Sequence, residues 1–380
     1  MLLARRITTN PRTSTTITAA SRRLSTTTTR KNPRPSMLTG FPTAAPAAPS
    51  KPLRYADVAV TPTAPEFTGV YRGKQQHPAD FHPSVLDRAA AAGVRKVMLT
   101  GMHLADVVPN LALCAARPEQ CSLTIGVHPY HAAEPWAAEC NEAGGKGEVG
   151  GEGWESNPYL AQLASHVRDA LALGPTSPLS AFGELGLDWD KTAHVSKDLQ
   201  LRTFRAQLDM FVREGWDLPL FLHCRAAFDD FIREMTPYLD KLPRRGLVHS
   251  FVGSRAEMEA LVGLGFDVSV NGFSFATRES LEMVAAVPLE RLQIETDAPW
   301  GEIKPGAEVA KRYCGNAPPL PQNKKKDKWD AACMVKERNE SCAISRVAFV
   351  VAGLKGMNVE EVAEAAWRNS VEMFGLERGE

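Results

Sequence analysis

From residue 54 to the C-terminus, short β-rich runs alternate with stretches of helical periodicity, and this alternation restricts the available folds more than any other feature. The runs span 54–60, 95–100, 122–127, 181–185, 218–222, 246–248, 267–270 and 292–296, eight in all. Between them, Leu201, Phe204, Leu208 and Phe211 recur at helical spacing, as do Phe228, Ile232 and Met235. Gly93, Gly215 and Gly265 follow three such stretches, where a residue of positive φ commonly ends a helix. Strands alternating with helices specify a parallel sheet, and eight of them favour closure into a (β/α)₈ barrel. An open doubly wound sheet is the alternative. It usually carries a Gly-rich phosphate loop after its first strand, and none follows Val60.

The segment before the alternation is of a different kind. Residues 1–54 hold ten Lys or Arg and no Asp or Glu, with many Ser and Thr. That is the composition of a mitochondrial presequence, and Arg22-Arg23-Leu24-Ser25 suits a processing site. A disordered basic tail without an address fits the same composition. Pro42, Pro46, Pro49 and Pro52 then predict an extended linker, so residues 1–53 are expected to be disordered and 54–380 to form the barrel domain. Two stretches interrupt that domain. Residues 139–158, rich in Gly and Glu, read as a flexible surface insertion, and residues 302–341 as a long irregular segment on the face where barrels build active sites.

The formal net charge is zero, with 44 basic and 44 acidic residues, so the chain beyond residue 54 carries a balance of −10. Such a body does not attract a polyanion by its overall field; it needs a local basic patch or metal ions. No eighteen-residue apolar run predicts a membrane span, and no obligate protein partner is indicated. The seven cysteines are odd in number and contain no C-x-x-C pair, which favours free thiols over a disulfide framework.

The chemistry stands at the strand ends. His128 follows the third run, Glu184 ends the fourth, His223 the fifth, His249 the sixth and Asp297 the eighth. In a closed barrel these ends converge on one mouth. Two imidazoles and two carboxylates meeting there form a divalent-metal site of mixed N/O type. One histidine beside an apolar run is weak evidence, since most are hydrogen-bonded core or rim residues. Five ionisable groups at equivalent positions of five strands are a strong signal.

The motifs GVHP (126–129), GELGLD (183–188), LHCR (222–225), VHSF (248–251) and ETDAPW (295–300) closely resemble those of the TatD family of metal-dependent deoxyribonucleases, in the same order. The resemblance covers roughly residues 54–376, and YRGKQQH (71–77) is similar to the family's eukaryotic branch, of fungal type. It implies a TIM-barrel hydrolase acting on DNA, with Glu184, His223, His249 and Asp297 as metal ligands and His128 contacting a phosphate or aiding proton transfer. One departure matters. The family opens with Asp-x-His-x-His on its first strand, and here Asp57, Ala59 and Thr61 stand at those positions. One well-defined Mg²⁺, Mn²⁺ or Zn²⁺ site is therefore expected, with a second, weaker one left open.

On this reading a metal-activated water attacks the phosphorus, Asp297 accepts its proton, Glu184 ligates and His128 offsets developing charge. Glu295 shares strand parity with Asp297 and is expected beneath it. Arg225 is a candidate phosphate clamp, and Arg72 and Lys74, with Lys324–Lys326, a candidate DNA-binding patch. For the lysine run a solvated loop is the blander reading, and for Trp300 and Trp329 packing is favoured over base stacking. Asp188 and Asp190 read as loop caps and Cys224 as a small buried thiol. Two other functions fit the same residues: a barrel hydrolase of a small ester, amide or phosphoester, and a non-catalytic scaffold descendant.

Overall fold

The eight expected strands all form, and they lie side by side in chain order. The computed structural model describes residues 36–137 and 153–377; the expected presequence and residues 139–152 of the first insertion lie outside these. The strands are β1 (Tyr55–Val60), β2 (Val94–Leu99), β3 (Cys121–Ile125), β4 (Leu179–Asp188), β5 (Leu220–Arg225), β6 (Gly246–His249), β7 (Asp267–Val270) and β8 (Leu292–Ile294). Every neighbouring pair is parallel. A parallel bridge between Val60 and Ala298, with Thr61 N–H donating to the Ala298 carbonyl at 2.9 Å, joins the first strand to the chain just beyond the last. The sheet thus closes into a barrel, and the open doubly wound alternative is excluded.

Most strand ends shift by one to three residues from the expected runs, β5 for example starting at Leu220 and running on to Arg225, and for two strands a local reason is visible. β8 stops at Ile294 because the Thr296 N–H is taken by the Asp57 carboxylate, 2.8 Å away, rather than by a neighbouring strand. β4 runs on to Asp188 through a register irregularity between Gly183 and Leu185. Gly183 and Gly186 have φ of +149° and +150°, and a Cβ on either would run into the β5 backbone at Phe221 or His223. Only glycine lets the two strands approach so closely around Glu184.

Helices α1 (Leu86–Ala91), α2 (Val107–Ala116), α3 (Pro158–Leu171), α4 (Lys197–Glu214), α5 (Phe228–Met235), α6 (Arg255–Gly263), α7 (Arg278–Ala286), α8 (Ile344–Lys355) and α9 (Val359–Phe374) surround the sheet. The predicted stripe on α4 buries Phe204, Leu208 and Phe211, and Gly215 ends that helix in the left-handed region. Inside the barrel, Val58, Met98, Ala181, Phe221 and Leu247 pack with Trp367 and Phe374 of α9 into a separate apolar cluster. Side chains alternate along a strand, so the residues two beyond Phe221 and Leu247 on the same face are His223 and His249. The Phe221 ring stacks on His249 with centroids 4.6 Å apart. The floor therefore supports the layer above it.

The compact unit begins at Met37, not at residue 54. Instead of a free linker, residues 37–46 lie against the barrel domain: Leu38 is buried, and the Leu38, Pro42 and Pro46 carbonyls accept hydrogen bonds from Arg312, Tyr313 and Asn316. Proline-rich extended chain leaves its carbonyls unpaired, which suits them to such side-chain donors. The described end of the first insertion is also ordered by packing, with Trp154 buried and Asn157 capping α3 through the Leu160 N–H. Segment 302–341 contains a short helix, Glu308–Tyr313, and a two-residue ladder. Its Arg338 is buried, paired with both Asp80 oxygens at 2.7 and 2.8 Å and with Glu340 at 2.7 Å. No single helix among the described residues is long and apolar enough to cross a membrane. The six described cysteines are buried thiols outside any disulfide.

Candidate metal centre

Glu184 is the focus of the strand-end cluster. Its Oε1 lies 2.5 Å from His249 Nε2, 2.8 Å from His223 Nδ1 and 3.2 Å from His128 Nε2. One carboxylate oxygen offers about two acceptor sites, so three imidazoles around it are more than hydrogen bonding accounts for. His223 Nε2 and His249 Nδ1 are buried and make no hydrogen bond, yet each faces a carboxylate at 3.4 Å, Asp188 and Glu295 respectively. A ring nitrogen turned inward and a carboxylate behind the opposite nitrogen is the arrangement of a metal-bound histidine. Asp297 lines the same cavity of about 680 Å³ as Glu184, His128, His223 and His249. The residues present fit a divalent cation.

The electrostatics agree with that geometry. Burial works to raise the Glu184 pKa, but His249 and His128 hold it well below the usual carboxylate range. Burial likewise opposes charge on His249, and Glu184 and Glu295 overcome it, raising its pKa well above that of free histidine. His223 is raised against burial by Asp188 and Glu184. Burial pushes the Asp297 carboxyl up to about 8, with Glu295 and Glu184 adding to the rise and His249 opposing it. Several charges compete for one buried space, a condition that a bound cation relieves.

His128 behaves differently from the other two histidines. Its Nδ1 accepts the Tyr130 N–H at 3.0 Å, which leaves the proton of the neutral ring on Nε2, facing Glu184. Burial keeps its pKa low. In that tautomer it is a donor to the cavity rather than a ligand.

Several supports were not singled out in the sequence. Ser250 Oγ lies 3.4 Å from Asp297 Oδ2 and accepts from Asn271 Nδ2 at 2.8 Å. Asn271 and Ser269 both donate to Glu295, at 3.0 and 2.7 Å. Glu295 thus backs His249, not Asp297 as expected from strand parity. A signal was present: Asp267 and Ser269 of β7 and Asn271 just beyond it alternate as polar residues, the pattern of a strand whose inner face is polar. Asp188 caps the following turn by accepting the Asp190 N–H, as expected, and in addition faces His223.

The candidate substrate-binding residues are dispersed. Arg225 is held by Asp190 at 3.0 Å and lines an adjacent cavity with Phe251 and Phe273 rather than the one containing Glu184. Arg72 and Lys74 are exposed on the hairpin formed by Val70–Tyr71 and Lys74–Gln75. Lys326 Nζ sits 4.5 Å over the Tyr71 ring and so reaches that hairpin, whereas Lys324 is paired with Asp330 at 2.6 Å. Trp329 is engaged in packing, stacked on His77 and bonded to Asp80, whereas Trp300 is exposed on the cavity rim. Cys224 is buried, and burial pushes its thiol up to about 12. Of the first-strand positions, Ala59 is buried with the floor cluster and Thr61 lines the cavity.

Comparison with known proteins agrees with this geometry. The family model for TatD related DNase matches residues 73–375. A Schizosaccharomyces pombe protein named deoxyribonuclease Tat-D is 38% identical over 324 residues, covering 85% of this chain and 96% of the relative. A protein of Erwinia billingiae named 3'-5' ssDNA/RNA exonuclease TatD is 29% identical, covering 77% and 92% of the two chains. Among solved structures, one described as an uncharacterized amidohydrolase from Saccharomyces cerevisiae superposes with a TM-score of 0.73 at 29% identity, covering 85% of this chain and all of that one. The chain belongs to the TatD family of DNases.

Proposed function

We propose that this protein is a divalent-metal-dependent deoxyribonuclease that hydrolyses phosphodiester bonds from DNA ends. The observation that carries the reading is the composition of the central cavity, which joins a metal-type donor set at its base to exposed aromatic rings on its rim. Tyr130, Phe273 and Trp300 line that cavity and stand 38–39% exposed, and although one face of Tyr130 is stacked on His194, the three rings together offer an apolar rim of the kind on which bases stack. The relatives named as deoxyribonuclease and as exonuclease support the same reaction class.

Glu184, His223, His249 and Asp297 would hold one cation of the Mg²⁺, Mn²⁺ or Zn²⁺ type. Such an ion polarises a phosphoryl oxygen and lowers the pKa of bound water towards neutrality. Asp297 accepts the proton of the attacking water. His128, with its Nε2 proton directed into the cavity, donates to a phosphate oxygen as charge builds there. Glu295 and Asp188 keep the His249 and His223 rings turned inward. The rim rings stack on unpaired bases, which favours a single-stranded end. Arg72, Lys74 and Lys326 supply the local positive charge that the acidic body otherwise lacks.

The test is cleavage of end-labelled single- and double-stranded DNA with Mg²⁺ or Mn²⁺, beside a panel of small esters and amides. We expect progressive shortening of DNA, with loss of at least about 100-fold in His223→Ala and Asp297→Ala, the scale of losing one stabilising group. Cleavage that survives both substitutions, or turnover of the small substrates alone, overturns the proposal. Mitochondrial import is proposed on the composition of residues 1–35, and fusion of that segment to a fluorescent protein tests it.

A further inference from the structure

A second group of ligand-type side chains stands on the wall of the same cavity, and nothing in the reaction above uses it. His103 follows β2, and His131 and Glu134 lie in the single turns after β3. His103 Nδ1 is 3.0 Å from Glu134 Oε2 and 3.1 Å from Oε1, and His131 Nδ1 is 2.6 Å from Glu134 Oε1. The two imidazole rings are stacked, with centroids 4.1 Å apart, so both ring nitrogens face the carboxylate from one side. One ligand atom from each of the three residues lies within 4.8 Å of the others. In a tetrahedral zinc site with bonds of about 2.0 Å, ligand atoms are roughly 3.3 Å apart, so small rotations suffice.

The backing of these residues is that of a metal site. The far nitrogen of His103, Nε2, faces Asp106 Oδ1 at 3.5 Å, and Asp106 is anchored by the Met102 N–H at 2.9 Å. Glu134 Oε2 accepts from Tyr159 Oη at 2.8 Å, and that hydroxyl in turn accepts the Leu104 N–H at 2.9 Å. A histidine with one nitrogen at the centre and the other on a carboxylate, beside a carboxylate fixed by a hydroxyl, repeats the pattern around Glu184. His103 and His131 line the cavity, leaving room for water or a ligand oxygen at the remaining positions.

We propose that His103, His131 and Glu134 form a second site for a borderline divalent cation such as Zn²⁺, distinct from the Glu184 centre. The two-histidine, one-carboxylate donor set selects Zn²⁺ over Ca²⁺. The proposal does not depend on the nuclease reading.

The test is equilibrium dialysis of the chelator-stripped full chain against Zn²⁺, with Co²⁺ absorption as the spectroscopic readout. Wild type is expected to take up one equivalent more than Glu134→Gln or His131→Ala. His223→Ala, which impairs the central donor set, is expected to retain that equivalent and its Co²⁺ bands. Tyr159→Phe keeps the stoichiometry and weakens this site by about tenfold, the scale of losing an outer hydrogen bond. Should Glu134→Gln not fold, His103→Asn takes its place. Equal zinc uptake by wild type and the rim variants overturns the proposal, as does loss of every equivalent in His223→Ala.

Discussion

Asp57 is the residue at which the barrel's closure and its charge state meet. It is fully buried, and its carboxylate accepts the Thr296 N–H at 2.8 Å and the Thr296 hydroxyl at 2.6 Å. Burial raises its pKa to about 6, even though the hydrogen bonds from Thr296 oppose the rise. A carboxyl whose folded pKa exceeds its unfolded value stabilises the fold fully below the unfolded pKa, near 4, and loses that contribution as pH rises through 6. Between pH 4 and 6.5, wild type should therefore lose about 2 kcal/mol relative to Asp57→Asn, most of the value of a shift of roughly two units. Urea midpoints of the two proteins across that range measure it; parallel curves would refute it. At the rim, Tyr130→Ala and Trp300→Ala should each raise KM for single-stranded oligonucleotides by about tenfold, since one base–aromatic stack contributes about 1–3 kcal/mol. Steady-state kinetics check this, and an unchanged KM with reduced kcat would assign these rings to something other than base stacking.

At the scale of elements, the loops after β1 and β8 are fastened together by buried charge. Arg338 bridges Asp80 and Glu340, and Arg88 holds the other Glu340 oxygen at 2.8 Å. Arg338→Met leaves two acidic groups buried with one guanidinium between them. It should cost about 3–5 kcal/mol, the usual scale for breaking a buried pair by removing one partner. Faster amide exchange over residues 66–80 and 329–340, with the barrel strands unaffected, would mark the loss as local to this clasp. Exchange that rises throughout would show the clasp to be integral to the whole barrel. The clasp was not legible in the sequence, because Arg338 and Asp80 lie 258 positions apart and no periodicity links them. The strands were legible, since each is an apolar run of β-type residues bounded by turn residues, and the ligand-type groups could be read from their places at the ends. Glu295 shows the limit of that method. Parity put it on the inner face correctly, but which neighbour it meets depends on the stagger between β6 and β8. His103, His131 and Glu134 lie in irregular turns, where spacing gives no direction to a side chain.

At the scale of the whole molecule, the chain outside the basic segment carries a balance of −10, so a polyanionic substrate would depend on local basic groups such as Arg72, Lys74 and Lys326 and on a bound cation. Stability is likewise distributed unevenly, and the stretch 37–53 is the clearest case. Its composition reads as a linker, yet Leu38 is 1% exposed, the Arg278 guanidinium lies 5.4 Å from the Phe41 ring centroid, and Tyr313 Oη donates to the Pro42 carbonyl at 2.7 Å. The Ser50 N–H reaches Glu360 of α9 at 2.8 Å. Burying Leu38 alone is worth about 2 kcal/mol, and removing the stretch would also strip the Tyr313 hydroxyl and the Arg312 guanidinium of their acceptors. A chain beginning at Met37 should therefore be more stable than one beginning at Arg54 by about 3 kcal/mol or more, with a Tm several degrees higher. None of these residues lines the Glu184 cavity, so kcat on DNA well below the melting range should be the same for both. Paired thermal melts and initial rates decide the matter. Equal Tm values would return residues 37–53 to the status of a linker, and a fall in kcat without a fall in Tm would tie them to the site instead.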